Sequence, residues 1–406
     1  MKVLLVGSGG REHALARSFV RSRRLTELHA APGNPGIARL GRCHPVRADD
    51  VEGLADLASA LRIDLAVIGP EAPLVAGAAD ELRRAGISVF GPSQAASRIE
   101  GSKSFAKDVM QAARVSTAAR LDEPGAPCVV KADGLAAGKG VFVCRTAEEL
   151  EAALLRARAF GETIVVEELL AGEEASVFVV TDGERVVALP AAQDYKRVGD
   201  GDTGPNTGGM GAYSPVHRLG QADVDEIVEQ VHRPVLAELA ARGSPFVGVL
   251  YAGMMLTAGG PRVLEFNCRF GDPETQAILP LLEGDLLELL AAAATGDLSD
   301  ASVSVSARCG VTVVMASRGY PESTEVGVEI GGVKEAEELG ALVFHAGTAL
   351  RGDALLTAGG RVLDVTALGD TCAEARERAY EAVERIHFAG AQYRRDIALK
   401  AVNVPA

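Results

Sequence analysis

Residues 263–270 read VLEFNCRF, an alternation that puts Glu265, Asn267 and Arg269 on one face of a strand and Leu264, Phe266, Cys268 and Phe270 on the other. A carboxylate and an amide oxygen are hard ligands suited to Mg²⁺, and a guanidinium beside them holds a carboxylate or phosphate at two points. The combination points to metal-assisted phosphoryl transfer. On the strand alone, a surface strand carrying ordinary polar residues is the alternative reading. Gly271, Asp272, Pro273 and Glu274 follow at once, adding two carboxylates at a sharp strand-to-helix turn.

Outward from this strand, the chain of 406 residues is long enough for roughly three domains of about 150 residues. Hydrophobic residues make up 48% and charged residues 24%, which fits a globular chain. The absence of Trp and the 4% aromatic content argue against a stacking surface for single-stranded nucleic acid. A net charge of −14 argues against a general nucleic-acid binder, so an anionic substrate has to be met by local cations and backbone amides. Cys43, Cys128, Cys144, Cys268, Cys309 and Cys372 lack C-x-x-C spacing and read as reduced packing cysteines of a cytoplasmic protein. No run of about 18 apolar residues occurs, and the N-terminus opens directly on a strand, so neither a membrane span nor a signal peptide is expected.

The start of the chain reads strand, glycine turn, helix: KVLLV, then Gly7, Ser8, Gly9 and Gly10, then REHALARSFVRS. Such a turn at a helix N-terminus is an anion site. It fails two tests for a dinucleotide fold: the third glycine of G-x-G-x-x-G would fall at Glu12, and the next strand, near Leu28 to Ala31, runs into Pro32 and Gly33 with no acid for a ribose 2′-hydroxyl. Strand 64–69 leads into Pro70 and Glu71, and strand 87–91 into Pro92 and Ser93. All these loops belong at the carboxyl edge of one parallel sheet, where open α/β folds bind ligands. Residues 1–100 therefore read as a Rossmann-like domain for a phosphorylated small molecule.

Beyond Gly101, the helix SKSFAKDVMQAARV precedes the strand CVVKA and a loop, 133–140, in which Gly134, Gly138 and Gly140 surround Lys139. A Walker A loop would need Gly at 133 and Ser or Thr at 140, where the chain has Asp133 and Gly140. A glycine hairpin flap remains, with Lys131 and Lys139 placed to meet phosphate oxygens. Thr146 and Glu149 form a capping box. In TIVVEELLAGEEASVFVVTDG, the connection Glu167 to Leu170 offers backbone groups to an adenine edge and Glu174 to ribose hydroxyls; a plain acidic hairpin is the alternative. Residues 193–215, with six glycines, read as a long irregular functional loop with no regular element. From about 303 onward a strand, a hairpin-rich stretch and the helix capped by Thr371 and Glu374 suggest a final α+β unit.

Taken in order, the lysine strand with its glycine flap, the EELL connection and the ExNxR strand resemble the ATP-grasp fold. The strings GSGGREHALA, APGNPG, GPEAPL, VKADGLAAGKGV, QDYKRVGDGDTGPNTGGMGAYSP and EFNCRFGDPETQ resemble, more narrowly, the phosphoribosylamine-glycine ligase family, over residues 2 to about 395. The resemblance implies a multidomain α/β and α+β chain: a Rossmann-like substrate domain (1–100), a small ATP-grasp lobe with the flap (101–185), a large lobe with the metal site (186–315) and a C-terminal α+β domain (316–406). It implies ligation of glycine to 5-phosphoribosylamine with ATP, through a glycyl phosphate, in purine synthesis.

It also implies the site. Glu265 and Asn267 would hold Mg²⁺ or Mn²⁺. Lys103, Lys131, Gly138, Lys139 and Gly140 would meet the phosphates, Glu167, Glu168 and Leu170 the adenine, and Glu174 the ribose of ATP. Arg269 would steady the transferred phosphoryl group and Asp272 orient the incoming amine, as the catalytic pair. Gly9, Gly10, Arg11 and Glu71 would hold phosphoribosylamine, and Asp194, Lys196, Asp202 and Asn206 join them as substrate-binding residues. A monomer is expected, with no nucleic-acid or membrane partner and with room for transient contact with the enzyme supplying phosphoribosylamine. One departure stands out: the strand before ExN, GVLYAGMML, carries no acid, so either fewer protein ligands hold the metal or an acid such as Asp202 approaches from the long loop. A nicotinamide dehydrogenase, a non-enzymatic nucleotide-binding protein and a formyl- or carboxy-transferring ATP-grasp relative are the competing readings.

Overall fold

The apolar run KVLLV has no polar alternation, as suits a strand buried on both faces. In the computed structural model, which describes residues 1–135, 140–161, 163–299 and 301–402, it forms β1 (Lys2–Gly7). Helix α1 (Gly10–Phe19) follows, then β2 (Glu27–Pro32), β3 (Arg42–Cys43), β4 (Leu65–Ile68) and β5 (Ser88–Phe90). These strands make one parallel sheet in the order β3-β2-β1-β4-β5. The order reverses between β1 and β4, so the turns after those strands share a crevice at the sheet's carboxyl edge. The expected Rossmann-like sheet is present. Glu12 explains the broken glycine fingerprint: its carboxylate folds back to accept from Gly9 N at 2.6 Å. A Cβ on Gly7 or Gly69 would come within 2.6 or 2.0 Å of it.

Helix α2 (Gln94–Gly101) and helix α3 (Lys103–Ala112) lead into the small lobe. There β6 (Cys128–Ala132), β7 (Val141–Cys144) and β8 (Ile164–Glu168) form an antiparallel sheet ordered β7-β6-β8, with α4 (Ala147–Arg158) against it. The expected cap holds, with Glu149 N donating to Thr146 Oγ1. This lobe has its own small core, including Val130, Leu150, Ala153 and Val166. The larger cores run continuously from the N-terminal sheet into the next layer, joining Leu5 and Phe90 to Phe178, Val249 and Leu287.

The chain then lays down β9 (Glu173–Thr181) and β10 (Val186–Ala188). It passes through β11 (Gln193–Asp194), β12 (Arg197–Gly199), β13 (Thr203–Asn206) and β14 (Gly211–Ser214), and returns in β15 (Gly248–Thr257) and β16 (Gly260–Asn267). Strands β10-β9-β15-β16 form the large-lobe sheet. After the short α5 (Glu274–Ile278) come β17 (Cys309–Ala316), β18 (Leu342–His345), β19 (Arg361–Gly369) and α6 (Cys372–Val383). The last sheet is ordered β11-β14-β17-β19-β18.

Three expectations change. Residues 193–215 are largely regular, because β11 and β14 pair with each other and β12 with β13; Gly201 takes positive φ in the turn between β12 and β13. The boundary at 185 cuts the sheet that joins β9 to β10, and the boundary at 315 cuts β17, which belongs with β14 and β19. Cys309 and Cys372 are not reduced packing residues but a disulfide, formed because the starts of β17 and α6 bring their Cα atoms within 5.1 Å. Cys128, Cys144 and Cys268 are free and buried, as the sequence suggested. Among the described residues no helix is long and apolar enough to cross a membrane.

Candidate active site

Register places the opening strand's polar groups. Directly opposite residues on antiparallel strands share a face, so Glu265 stands over Gly253 and Ser176, and Asn267 over Tyr251 and Phe178. Gly253 has no side chain, and a Cβ there would lie 3.4 Å from Glu265 Cγ. The alternation in β16 is not continuous: Gly253 pairs with Glu265 but Met254 with Val263, so Leu264 is the extra residue of a bulge. Its carbonyl oxygen accepts from Lys131 Nζ at 2.8 Å.

Lys103 opens α3, where Ser102 caps the helix and Asp133 accepts from the backbone N–H groups of Lys103 and Ser104. That fixed start carries the Lys103 ammonium to 3.4 Å from the Glu265 carboxylate. Burial works against the Glu265 charge, but Lys103, Lys196 and Lys131 together hold its carboxyl down to about 2. Asn267 is buried, its Oδ1 accepting from Arg269 Nη2 at 3.3 Å. Among the described residues no three His, Cys, Asp or Glu side chains converge to hold a metal by themselves.

On the small-lobe side Glu167 is 2% exposed and lies between two ammoniums, Lys131 at 2.7 Å and Lys107 at 2.8 Å. Its carboxylate is therefore taken, and only its backbone is left for a base. Glu168 accepts from Ala119 N and pairs with Arg262 at 2.7 Å, while Leu170 is half-buried beyond the end of β8. Gly140 is buried at the start of β7; Gly138 and Lys139 lie outside the described residues. Glu174 and Asp194 share Lys196, at 2.7 and 2.9 Å.

Toward the N-terminal sheet, Arg269 donates to Glu71 at 3.2 Å, to Glu100 at 3.1 Å and to the Phe270 carbonyl at 3.2 Å. Burial opposes the charge on Glu71, yet Arg269 and Arg11 bring its carboxyl down to about 2. Arg11 also donates to the Phe270 carbonyl, at 3.1 Å, which ties the glycine turn to the end of the ExNxR segment. Asp272 sits beside Gly9 and is held by Arg361 at 2.9 Å and by Gln276 at 2.7 Å. Burial pushes its carboxyl up, but Arg361 and Arg11 keep it below the usual carboxylate range.

The structure thus gathers Lys103, Lys131, Glu167, Glu174, Asp194, Lys196, Glu265, Asn267, Arg269, Asp272, Gly9, Gly10, Arg11 and Glu71 around one junction of sheets. It does not bring Asp202 or Asn206 there. Asp202 pairs instead with Arg394 at 2.9 Å and Lys400 at 3.5 Å, and Asn206 sits in a ladder pair with Arg197. The acid that does approach the acid-free strand is Glu274, which accepts from Tyr251 OH at 2.8 Å and Ser176 Oγ at 3.3 Å. Sequence reasoning also missed Lys107, one helical turn past Lys103, together with Glu100, Ser176 and Arg361. Lys107 and Glu100 were findable from their closeness to Lys103. Arg361, 89 positions from Asp272, carried no local signal.

Family models describe these segments in the same order. Residues 1–100 match the phosphoribosylglycinamide synthetase N domain, 101–275 its ATP-grasp (A) domain and 310–400 its C domain. The chain belongs to the phosphoribosylglycinamide synthetase family. A phosphoribosylamine-glycine ligase of Streptomyces coelicolor is 53% identical to this synthetase-family chain, covering 99% of it and 100% of the relative. The crystal structure of the phosphoribosylamine-glycine ligase of Thermotoga maritima superposes with a TM-score of 0.85 at 35% identity, over 98% of this chain and 100% of that one. A biotin carboxylase domain of the Hydrogenobacter thermophilus 2-oxoglutarate carboxylase, solved with MgADP and bicarbonate, superposes at 0.72 with 18% identity, over 97% and 91%, and shows the shared fold.

Enzymes of the ATP-grasp fold use ATP with divalent cations, and the residues of this synthetase-family site fit such an ion. Glu265 is kept ionised, Asn267 adds a neutral hard oxygen, and no sulfur or imidazole stands among them.

Proposed function

We infer that the chain joins glycine to 5-phosphoribosylamine at the expense of ATP, giving glycinamide ribonucleotide, ADP and phosphate for purine synthesis. Glycine's carboxylate attacks the γ-phosphoryl group, and the resulting acyl phosphate is attacked by the amine of phosphoribosylamine. One observation carries this reading: Glu265 and Asn267 end a strand ringed by Lys103, Lys131 and Lys196, and the same chain segment continues into Arg269 and Asp272 at the glycine turn of the N-terminal sheet. Phosphoryl transfer and acyl transfer both build negative charge, and prepositioned cations stabilise it.

Glu265 and Asn267 would hold Mg²⁺ or Mn²⁺, an ion that when bound would offset negative charge on the phosphoryl oxygens. Lys131 and Lys103 orient the phosphates, and Gly138, Lys139 and Gly140 contact the same phosphates. The backbone from Glu167 to Leu170 takes the adenine edge and Glu174 the ribose. Asp194 and Lys196 face the amino-acid substrate. Gly9, Gly10, Arg11 and Glu71 hold phosphoribosylamine. Arg269 steadies the acyl phosphate, and Asp272 orients the amine. We place the enzyme in the cytoplasm as a monomer that receives its unstable amine by transient contact with the supplying enzyme.

The test follows ADP release while glycine, formate and bicarbonate are offered in turn with phosphoribosylamine. Release dependent on glycine is expected. Release that ignores glycine but responds to formate or bicarbonate would transfer the reading to a formyl- or carboxy-transferring relative.

A further inference from the structure

Three layers of the molecule meet at one amide. Gln276, fully buried on α5, uses both hydrogens of its NH2 group on carboxylates: Asp272 Oδ1 at 2.7 Å and Asp364 Oδ2 at 2.8 Å. Asp364 comes from β19 of the C-terminal sheet, is 1% exposed, and makes no ion pair among the described residues. The glycine turn fits around it: a Cβ on Gly10 would lie 1.7 Å from Asp364 Oδ2 and 2.8 Å from Gln276 Nε2. Asp364 Oδ1 and Gln276 Oε1 are buried without partners among the described residues, so neither group is held here by a saturated structural network.

We propose that Asp364 is a positioning residue for amide-bond formation, fixing Asp272 through Gln276 against the glycine turn where the amine arrives. This rests on the ligase reading above. In that step the nitrogen–carbon bond forms and the acyl carbon–oxygen bond to phosphate breaks. The nitrogen's proton leaves to the Asp272 carboxylate and ends on the released phosphate. An unanchored Asp272 would lose that geometry, because its other side-chain partner among the described residues is Arg361, on the far oxygen.

The groups facing Asp364 are Gly10 at the start of α1, Gln276 on α5, Asp272 before it, and Arg361 on its own strand. Burial and the charge of Asp272 push the Asp364 carboxyl up to about 7, with Arg361 pulling the other way. Near neutral pH, Asp364 is therefore only partly ionised while Asp272 is ionised, as expected for two carboxylates set apart by their surroundings.

The experiment measures kcat/KM for each of the three substrates in wild type, Asp364→Ala and Asp364→Asn, with thermal unfolding as a control for folding. Asp364→Ala should lower kcat/KM for phosphoribosylamine about tenfold, leaving the values for ATP and glycine within about twofold. Asp364→Asn, which keeps an oxygen facing Gln276, should recover most of that loss and remove an ionisation near pH 7 from the phosphoribosylamine profile. Equal losses for all three substrates, or an Asn variant whose profile superimposes on wild type, overturn the proposal. A wild-type enzyme that shows no glycine-dependent turnover would defeat the ligase reading instead, so the two failures are distinguishable.

Discussion

Glu265 is the residue on which the site turns, since three ammoniums keep it ionised under burial. Glu265→Gln should leave folding intact and cut turnover by about 10²-fold or more through lost cation placement; near-normal turnover would remove Glu265 from the metal site. Glu71 gives a cleaner test of electrostatics. Its folded carboxyl is lowered from 4.5 to about 2, so its contribution to stability is present above pH 4.5 and fades as pH falls toward 2. Thermal unfolding should therefore show Glu71→Gln less stable than wild type at pH 6, with the gap closing on acidification. A gap independent of pH would mean that the Arg269 and Arg11 charges are not what Glu71 feels. Period-two alternation put Glu265 and Asn267 on one face in the sequence, and the neighbouring motifs, not the strand alone, singled them out as a metal pair. The resemblance gave the connection from Glu167 to Leu170 to adenine, but nothing in the sequence indicates that Lys107 and Lys131 close on the Glu167 carboxylate from two elements.

Local signals determined the elements well where one face or one cap decided them. They failed where a partner strand did. KVLLV and CVVKA are strands by composition, and Ser102 and Thr146 cap the helices they precede. The bulge at Leu264 was not legible, because register on β15 creates it. Nor were β11 to β14, whose glycine-rich sequence has low strand propensity and is ordered by pairing of β14 with β17, β11 with β14 and β12 with β13. The start of α1 yields a prediction with a sign opposite to propensity. A Gly-to-Ala change in a helix ordinarily stabilises by up to about 1 kcal/mol, but at Gly10 the new methyl meets Asp364. Gly10→Ala should lower the melting temperature, and adding Asp364→Ala should recover part of the loss. Additive effects in that double mutant would mean the two residues do not press on each other.

At the scale of the molecule, the site is assembled across sheets that the order of segments along the chain does not announce. Strands at 193–194 and 211–214 belong to the C-terminal sheet yet flank Lys196, which reaches the large-lobe face. What secures that excursion is Arg394. This residue is 1% exposed, donates to the Arg197 carbonyl and pairs with Asp202 and Asp396; its guanidinium lies 4.8 Å from the Tyr195 ring centroid. Removing it leaves two carboxylates, both partly open to water, so the loss is that of hydrogen bonds to charged groups, about 2 kcal/mol, rather than that of a sealed ion pair. The consequence for function is specific. Strands β12 and β13 would lose their central tie to the C-terminal segment, keeping among the described residues only the contacts of Gly201 with Asp396, Asp200 with Arg395 and Asp202 with Lys400, while Glu265, Asn267 and Lys103 stay on other elements. Arg394→Ala should therefore raise KM for the substrate facing Asp194 and Lys196, glycine, several-fold more than KM for ATP. Equal rises for both substrates, or a lowered melting temperature with unchanged glycine KM, would make Arg394 a stabilising residue with no hold on the site.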